Sequence, residues 1–341
     1  MGGFLVEVTR GDLVESIHQV AACAVDVEGS VHFRAGDIDV PVFLRSSAKP
    51  FIAAAAVEAG VVERFGLEQR EIAVMSASHH GEPFHIEAVR SILRKIGMDA
   101  SALQCGAHYP YQEAAAQAMM RAGDPPSPLQ NNCSGKHAGI LALSVAIGAD
   151  PSTYLEVSNP AERAILDLCA RMSDDDPQTW PLGVDGCGIP VYATSLRRAS
   201  LAFARFATLE GIDPRDAAAL LVVRDAMVAY PEYVSGTGEL DTVLMQVGEG
   251  GIACKGGAEG VHAVSAIGPG LGYVSKVLDG GGRARGPSTI AVLRHLGVLD
   301  DVQATKLARF ARPAVYNRAG RAVGEIRVPD VTKEKASQDF A

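Results

Sequence analysis

Strand-like runs crowd both ends of this chain and helical ones fill its middle, and that order constrains the fold more than any other feature. Residues 4–8, 19–27, 31–34 and 40–44 read as short β runs. Residues 240–246, 252–255, 260–266 and 272–279 read the same way, separated by Gly-rich turns such as Gly248 to Gly251 and Gly268-Pro269-Gly270. Between them, apolar periodicity and capping residues predict helices over about 47–59, 84–96 and 112–120. More follow from just after Ser134 to Ile147 and over about 160–172, 193–207 and 214–228, and a last one over about 288–296. An apolar run at 71–75 ends in a polar turn and is expected as a strand. The order implies an α/β fold in which one antiparallel sheet, built from both chain ends, packs with a largely helical region; two α/β lobes are the alternative. The expected organisation is a single domain over 1–330 with a helical sub-lobe around 50–230, followed by a polar tail over 331–341.

Composition narrows the partners. Of 341 residues, 48% are apolar and 21% charged, as in ordinary soluble domains. The balance of 40 acidic against 31 basic residues gives a net charge of −9, with no basic run, which argues against nucleic acid. Glu7, Asp12 and Glu15 occupy a region where a signal peptide would carry basic residues and an apolar run. No apolar stretch has membrane-spanning length: the run from Phe51 is broken by Glu58 and that from Ala138 ends at Asp150. A cytoplasmic location and no membrane partner are expected. The six cysteines then read as free thiols or metal ligands, with Cys23 and Cys169 in core-like apolar surroundings.

Only eight of the basic residues are lysines, and Lys49, Lys136 and Lys255 each stand within two residues of Gly, Ser or Cys. Lysine, unlike arginine, can lose its proton on burial, which makes these three candidates for function. In Arg45-Ser46-Ser47-Ala48-Lys49-Pro50, a helix starting here would set Ser46 and Lys49 on one face, where the amine can activate the hydroxyl. A serine-capped helix start fits the same residues. Ser78 lies in a Ser-x-x-Gly turn and is either a reactive hydroxyl or a cap. Lys255 ends a β run before Gly256 and Gly257, which would let backbone approach a ligand closely, or simply make a hairpin turn. Cys133, in Cys-Ser-Gly-Lys-His, and Cys187, in Asp-Gly-Cys-Gly, sit in polar loops. With Lys136 or His137 they could hold zinc, although the spacing fits free thiols as well. His79, His80 and His85 lack metalloprotease spacing and are expected at a solvated helix start.

Taken together, Leu44-Arg-Ser-Ser-Ala-Lys-Pro50, Ser76-Ala-Ser-His-His-Gly-Glu82, Asn131-Asn-Cys-Ser-Gly-Lys-His-Ala-Gly139, Asp185-Gly-Cys-Gly-Ile-Pro190 and Lys255-Gly-Gly-Ala-Glu-Gly260 resemble the rhizobial-type L-asparaginases. These are thermolabile, inducible enzymes distinct from the bacterial type I and II and the plant Ntn-hydrolase asparaginases. The resemblance runs from the first strand to about residue 325. It implies a fold similar to serine β-lactamases and β-lactamase-like glutaminases, with Ser46 and Lys49 as one Ser-Lys pair and Ser78 with Lys255 as a second. It further implies zinc on Cys133, Lys136 and Cys187, and a homodimer. His137 and Asp185 would support zinc or substrate, Arg45 would anchor substrate charge, and Gly256 and Gly257 would line the substrate. The implied reaction is hydrolysis of L-asparagine to L-aspartate and ammonia. Glutamine as substrate, and a non-catalytic zinc- or small-molecule-binding role, are the alternatives.

Overall fold

The computed structural model describes residues 2–332. Its internal contacts divide the chain into two compact units. Of the described residues, one comprises those up to Ser47, Thr194–Thr208 and those from Val243 on; the other comprises Ala48–Ala193 and Leu209–Thr242.

The first unit carries an eight-stranded sheet built from both chain ends, as the sequence order requires. Its strands run Ala314–Tyr316, Ala322–Arg327, Phe4–Arg10, Leu13–Val25, Leu271–Val277, Val261–Ala266 and Ile252–Gly257, with Val31–Ala35 also pairing on Leu13–Val25. The pairings are antiparallel, and the register sets Glu7 opposite Arg327 and Val20 opposite Val277. The long second strand changes character along its length. Leu13–Ile17 alternates exposed and half-buried residues, whereas Val20–Val25 is buried throughout, matching its unbroken apolar run. Helix Leu196–Thr208 covers one face at very close range. A Cβ on Gly272 would fall 2.0 Å from Ser200 O, so this crossing requires glycine. Ser200 Oγ donates to Cys23 O and Ser265 Oγ to Phe203 O, which satisfies hydroxyls that would otherwise be buried unpaired. On the other face His262 Nδ1 meets Thr289 Oγ1, at 2.8 Å, on helix Arg285–His295.

The second unit is mainly helical. Helix Lys49–Glu58 is buried from Lys49 to Ala56 on every side, as expected of a segment with no polar stripe. Helix Ser134–Ile147 is buried from Ser134 to Ser144. Helix Pro160–Ser173 starts as its sequence predicts, with Asn159 capping the Ala161 N–H and Pro160 in the first turn. The close approach of Ser134–Ile147 to Gln69–Met75 decides where the polar motifs fall. A Cβ on Gly135 would lie 2.1 Å from Val74 O, and one on Gly139 3.0 Å from Met75 Cε.

Several expectations need correction. The run at 71–75 is part of helix Gln69–Met75, begun by a reciprocal Glu68/Glu71 capping box, so Ser78 follows a helix and not a strand. Residues 240–246 lie in helix Leu240–Val247. Both runs are too short for periodicity to separate helix from strand. Strands Ala314–Tyr316 and Ala322–Arg327 had no clear signal. Of the polar tail expected over 331–341, the part from residue 333 lies outside the described residues. Among the described residues no helix is long and apolar enough to cross a membrane.

Candidate active site

In the helical unit, Lys49 opens its helix directly after a 3-10 turn over Arg45–Ala48. It is fully buried, at 0% exposure. Its ammonium donates to Ala77 O, to Ser78 Oγ at 3.0 Å and to Cys133 Sγ at 3.3 Å. Lys49 therefore sits against Ser78, a pairing that the sequence motifs do not suggest because the two are 29 positions apart. Ser78 is held in place by its own backbone N–H, which donates to Val234 O, and remains half-buried. Burial drives the Lys49 ammonium below its ordinary range; the second cation at Lys136 pushes the same way, while Cys133 opposes both.

Cys133 precedes the first turn of helix Ser134–Ile147, and Asn131 Oδ1 accepts its backbone N–H at 2.8 Å. Lys136, one turn on, donates to Cys187 Sγ at 2.9 Å and lies 3.8 Å from Asp185 Oδ2. The Asp185–Ile189 turn that delivers Cys187 is closed by Gly188 N–H to Asp185 O, with Gly188 at φ +92, a conformation that favours glycine. The two thiols share a hydrogen bond. That bond, together with the ammonium groups of Lys136 and Lys49, holds Cys133 well below the usual thiol value, while the same bond and burial push Cys187 far up. Burial alone would lower Lys136, but Cys133, Cys187 and Asp185 outweigh it and hold the amine above its ordinary value. Cys187 thus meets Lys136 and Cys133, and Asp185 lies beside Lys136. Two soft sulfur donors and one amine in a dry pocket suit zinc better than a hard cation.

His137 follows Lys136 and is fully buried. Its Nδ1 lies 2.7 Å from the Tyr154 hydroxyl, which accepts from Gln104 N–H. The hydroxyl proton then falls to Nδ1 and leaves Nε2 as the N–H side. That Nε2 is buried with no hydrogen-bond partner among the described residues, and burial keeps the ring neutral. The neighbouring histidines behave differently. His79 Nδ1 accepts from Gly81 N–H and Nε2 meets Ser134 Oγ; His85 Nδ1 accepts from Glu82 N–H and Nε2 meets Glu232 O. The expected solvated cluster is thus, for these two, a pair of buried rings stacked 5.0 Å apart.

In the sheet-bearing unit, Arg45 takes φ +52, a left-handed conformation rare outside glycine, immediately before Ser46. Ser46 is half-buried. Ser47, which the sequence motif did not single out, is fully buried and donates to Lys255 O at 2.9 Å, tying the serine turn to strand Ile252–Gly257. Lys255 is itself buried, its Nζ donating to Gly256 O at 2.7 Å. A Cβ on Gly257 would lie 2.7 Å from Leu44 O and 2.9 Å from Ser47 Oγ, so the tight fit here admits only glycine.

Lysines kept in dry surroundings against a hydroxyl and thiols are what nucleophilic catalysis needs, and they place the chain among enzymes. Comparison supplies the family: the L-asparaginase II model matches residues 6–328, and the chain belongs to that family, an asparaginase-type amidohydrolase. No curated protein matches the chain. Similar solved structures include a protein of Bacteroides dorei assigned as a β-lactamase, 17% identical over 75% of this chain and 84% of that one, with a TM-score of 0.41. A β-lactamase of Mycobacterium bovis is 13% identical over 86% and 95%, at 0.38. The simvastatin synthase of Aspergillus terreus is 12% identical over 86% and 90%, at 0.29.

Proposed function

We propose that the protein hydrolyses L-asparagine to L-aspartate and ammonia through an acyl-enzyme on serine. The observation that carries this reading is the buried Lys49 amine 3.0 Å from the Ser78 hydroxyl, three residues along the chain from Ser46. In its neutral form Lys49 takes the Ser46 proton as Oγ attacks the side-chain amide carbon. Backbone N–H groups at the start of the Lys49 helix and near Gly256 or Gly257 stabilise the oxyanion, each worth about 3 kcal/mol. The carbon–nitrogen bond then breaks, and the proton on Lys49 passes through Ser78 to the departing nitrogen as ammonia. In the second step water gives a proton to Lys49 and attacks the ester. Ser46 leaves as the alcohol, regaining that proton, and aspartate is released. Lys255, paired with Ser78 in the resemblance, is the second amine of the relay, and Arg45, His137 and Asp185 hold the polar ends of the substrate.

Zinc, when bound, would be held by Cys133, Lys136 and Cys187, with Lys136 giving up its proton to coordinate. It would serve to orient substrate, because a set of thiolates and an amine makes a weak Lewis acid. The homodimer and the cytoplasmic location belong to the same proposal, and sedimentation of the purified protein tests the former.

Ammonia release from L-asparagine and L-glutamine, measured side by side, tests the function. Higher kcat/KM on asparagine is expected. A preference for glutamine would move the protein to the glutaminases, since one methylene is worth only about 1–3 kcal/mol to a pocket. Release from neither would defeat the proposal.

A further inference from the structure

Arg285 opens helix Arg285–His295 in the sheet-bearing unit. Its Nη1 donates to Gly257 O at 3.5 Å, a long and weak contact and the guanidinium's one hydrogen bond among the described residues. Its Nε is buried without a partner among those residues. Arg285 as a whole is half-buried, and a guanidinium carries five N–H donors and a permanent charge, so the buried Nε–H left unpaired is costly unless something outside the chain supplies the acceptor.

The neighbourhood says what kind of acceptor. Gly257 ends the Lys255-Gly256-Gly257 edge, against Leu44 O and Ser47 Oγ, so Arg285 is joined through one residue to the turn that carries Ser46. Lys255 is buried on the same strand, and Lys276, which donates to Glu259 O, lies in the field of the Glu259 and Asp279 carboxylates and of Arg45. Those two carboxylates face Lys276, and Asp279 also meets His18 Nδ1 at 2.7 Å; neither pairs with Arg285, whose charge no carboxylate among the described residues meets. What stays unmatched here is the Arg285 guanidinium itself, and a planar anion matches its fork.

We infer that Arg285 recognises the α-carboxylate of the substrate beside the Gly256–Gly257 edge, and so restricts the enzyme to free amino-acid amides. The inference rests on the asparaginase reading. It makes Arg285 a substrate-binding residue acting in binding and not in bond cleavage.

The test is steady-state kinetics of the wild type, Arg285→Met and Arg285→Lys on L-asparagine and on the diamide of aspartic acid, in which the α-carboxylate is a neutral amide. Arg285→Met should raise KM for asparagine roughly 10- to 100-fold with kcat little changed. On the diamide it should match the wild type within about twofold. Arg285→Lys retains a charge and a long stem but loses the fork, and guards against a folding defect; it should raise KM for asparagine less, and again leave the diamide alone. Unchanged KM for asparagine in both variants overturns the assignment while leaving the asparaginase reading intact. Equal losses on both substrates overturn it too, since they show that Arg285 supports the fold instead of the carboxylate. A wild type that releases no ammonia from asparagine removes the functional reading and this inference with it.

Discussion

Two polar clusters of the helical unit look alike along the chain and differ in what their atoms are bonded to. Around His79 and His85, the four ring nitrogens are engaged with Gly81, Ser134, Glu82 and Glu232. These imidazoles are used up by the fold. Around Cys133, Lys136 and Cys187, the polar atoms are bonded mainly to one another, with cations and thiols crowded into a dry site and Nε2 of His137 left unpartnered. Such an arrangement is a weak source of stability, because taking charges out of water costs about as much as their attraction returns. It does supply groups whose protons and lone pairs remain open to a substrate or a metal. The difference teaches that burial alone does not mark a site; unspent hydrogen-bonding and ligand capacity does.

The largest expected effects test whether the lysine-thiol cluster and its serine are catalytic. Ser46→Ala and Lys49→Met should each lower kcat/KM for asparagine by roughly a thousandfold or more. Their melting temperatures should stay near the wild type's, since an apolar side chain of similar length can replace a buried amine without loss. Wild-type rates in a folded Ser46→Ala protein would end the acyl-enzyme reading. Next, zinc is expected by emission spectroscopy in the purified wild type, and Cys133→Ala and Cys187→Ala should each lose it, whereas His79→Ala should retain it; equal zinc in all of them, or none in the wild type, would dissolve the contrast. His79→Ala should instead cost stability, about 1–3 kcal/mol by urea titration, because it leaves Ser134 Oγ and Gly81 N–H without the ring. Its KM should not move.

The smallest effect is on pH dependence. Burial lowers His85 from 6.5 to about 4, so between those values the unfolded chain binds the proton and the folded one does not. Stability is therefore full above about pH 6.5 and falls as the pH drops toward 4. His85→Asn should flatten that limb of the stability curve; an unchanged slope would show that the ring does not carry it.

Much of the fold was legible because its cues are local. The β runs at both ends, the Asn159-Pro160 helix start and the all-apolar segment after Ser134 carry their structure in neighbouring residues. Helices Gln69–Met75 and Leu240–Val247 were misread because a short apolar run has no resolvable period. Strands Ala314–Tyr316 and Ala322–Arg327 were missed because they are largely exposed and lack a clean alternation. The site motifs picked out Lys49, Ser78, Cys133, Lys136 and Cys187 but not which of them meet, and Ser47 and Arg285 carried no signal, since a serine beside another serine and an arginine after a Gly-rich turn are ordinary in sequence.

By itself, then, the sequence determined the inventory: lysines where arginine is the rule, serines and cysteines in Gly-rich turns, and strands at both ends able to close one sheet. Only the tertiary structure decided which groups meet. It set Lys49 against Ser78 and Cys133, brought Lys136 to Cys187, and hid His79 and His85 while leaving Nε2 of His137 without a partner. The physical reason is range. Helix and strand preferences act over a few residues, whereas desolvation and Coulomb interaction depend on what lies within a few ångströms, however distant along the chain.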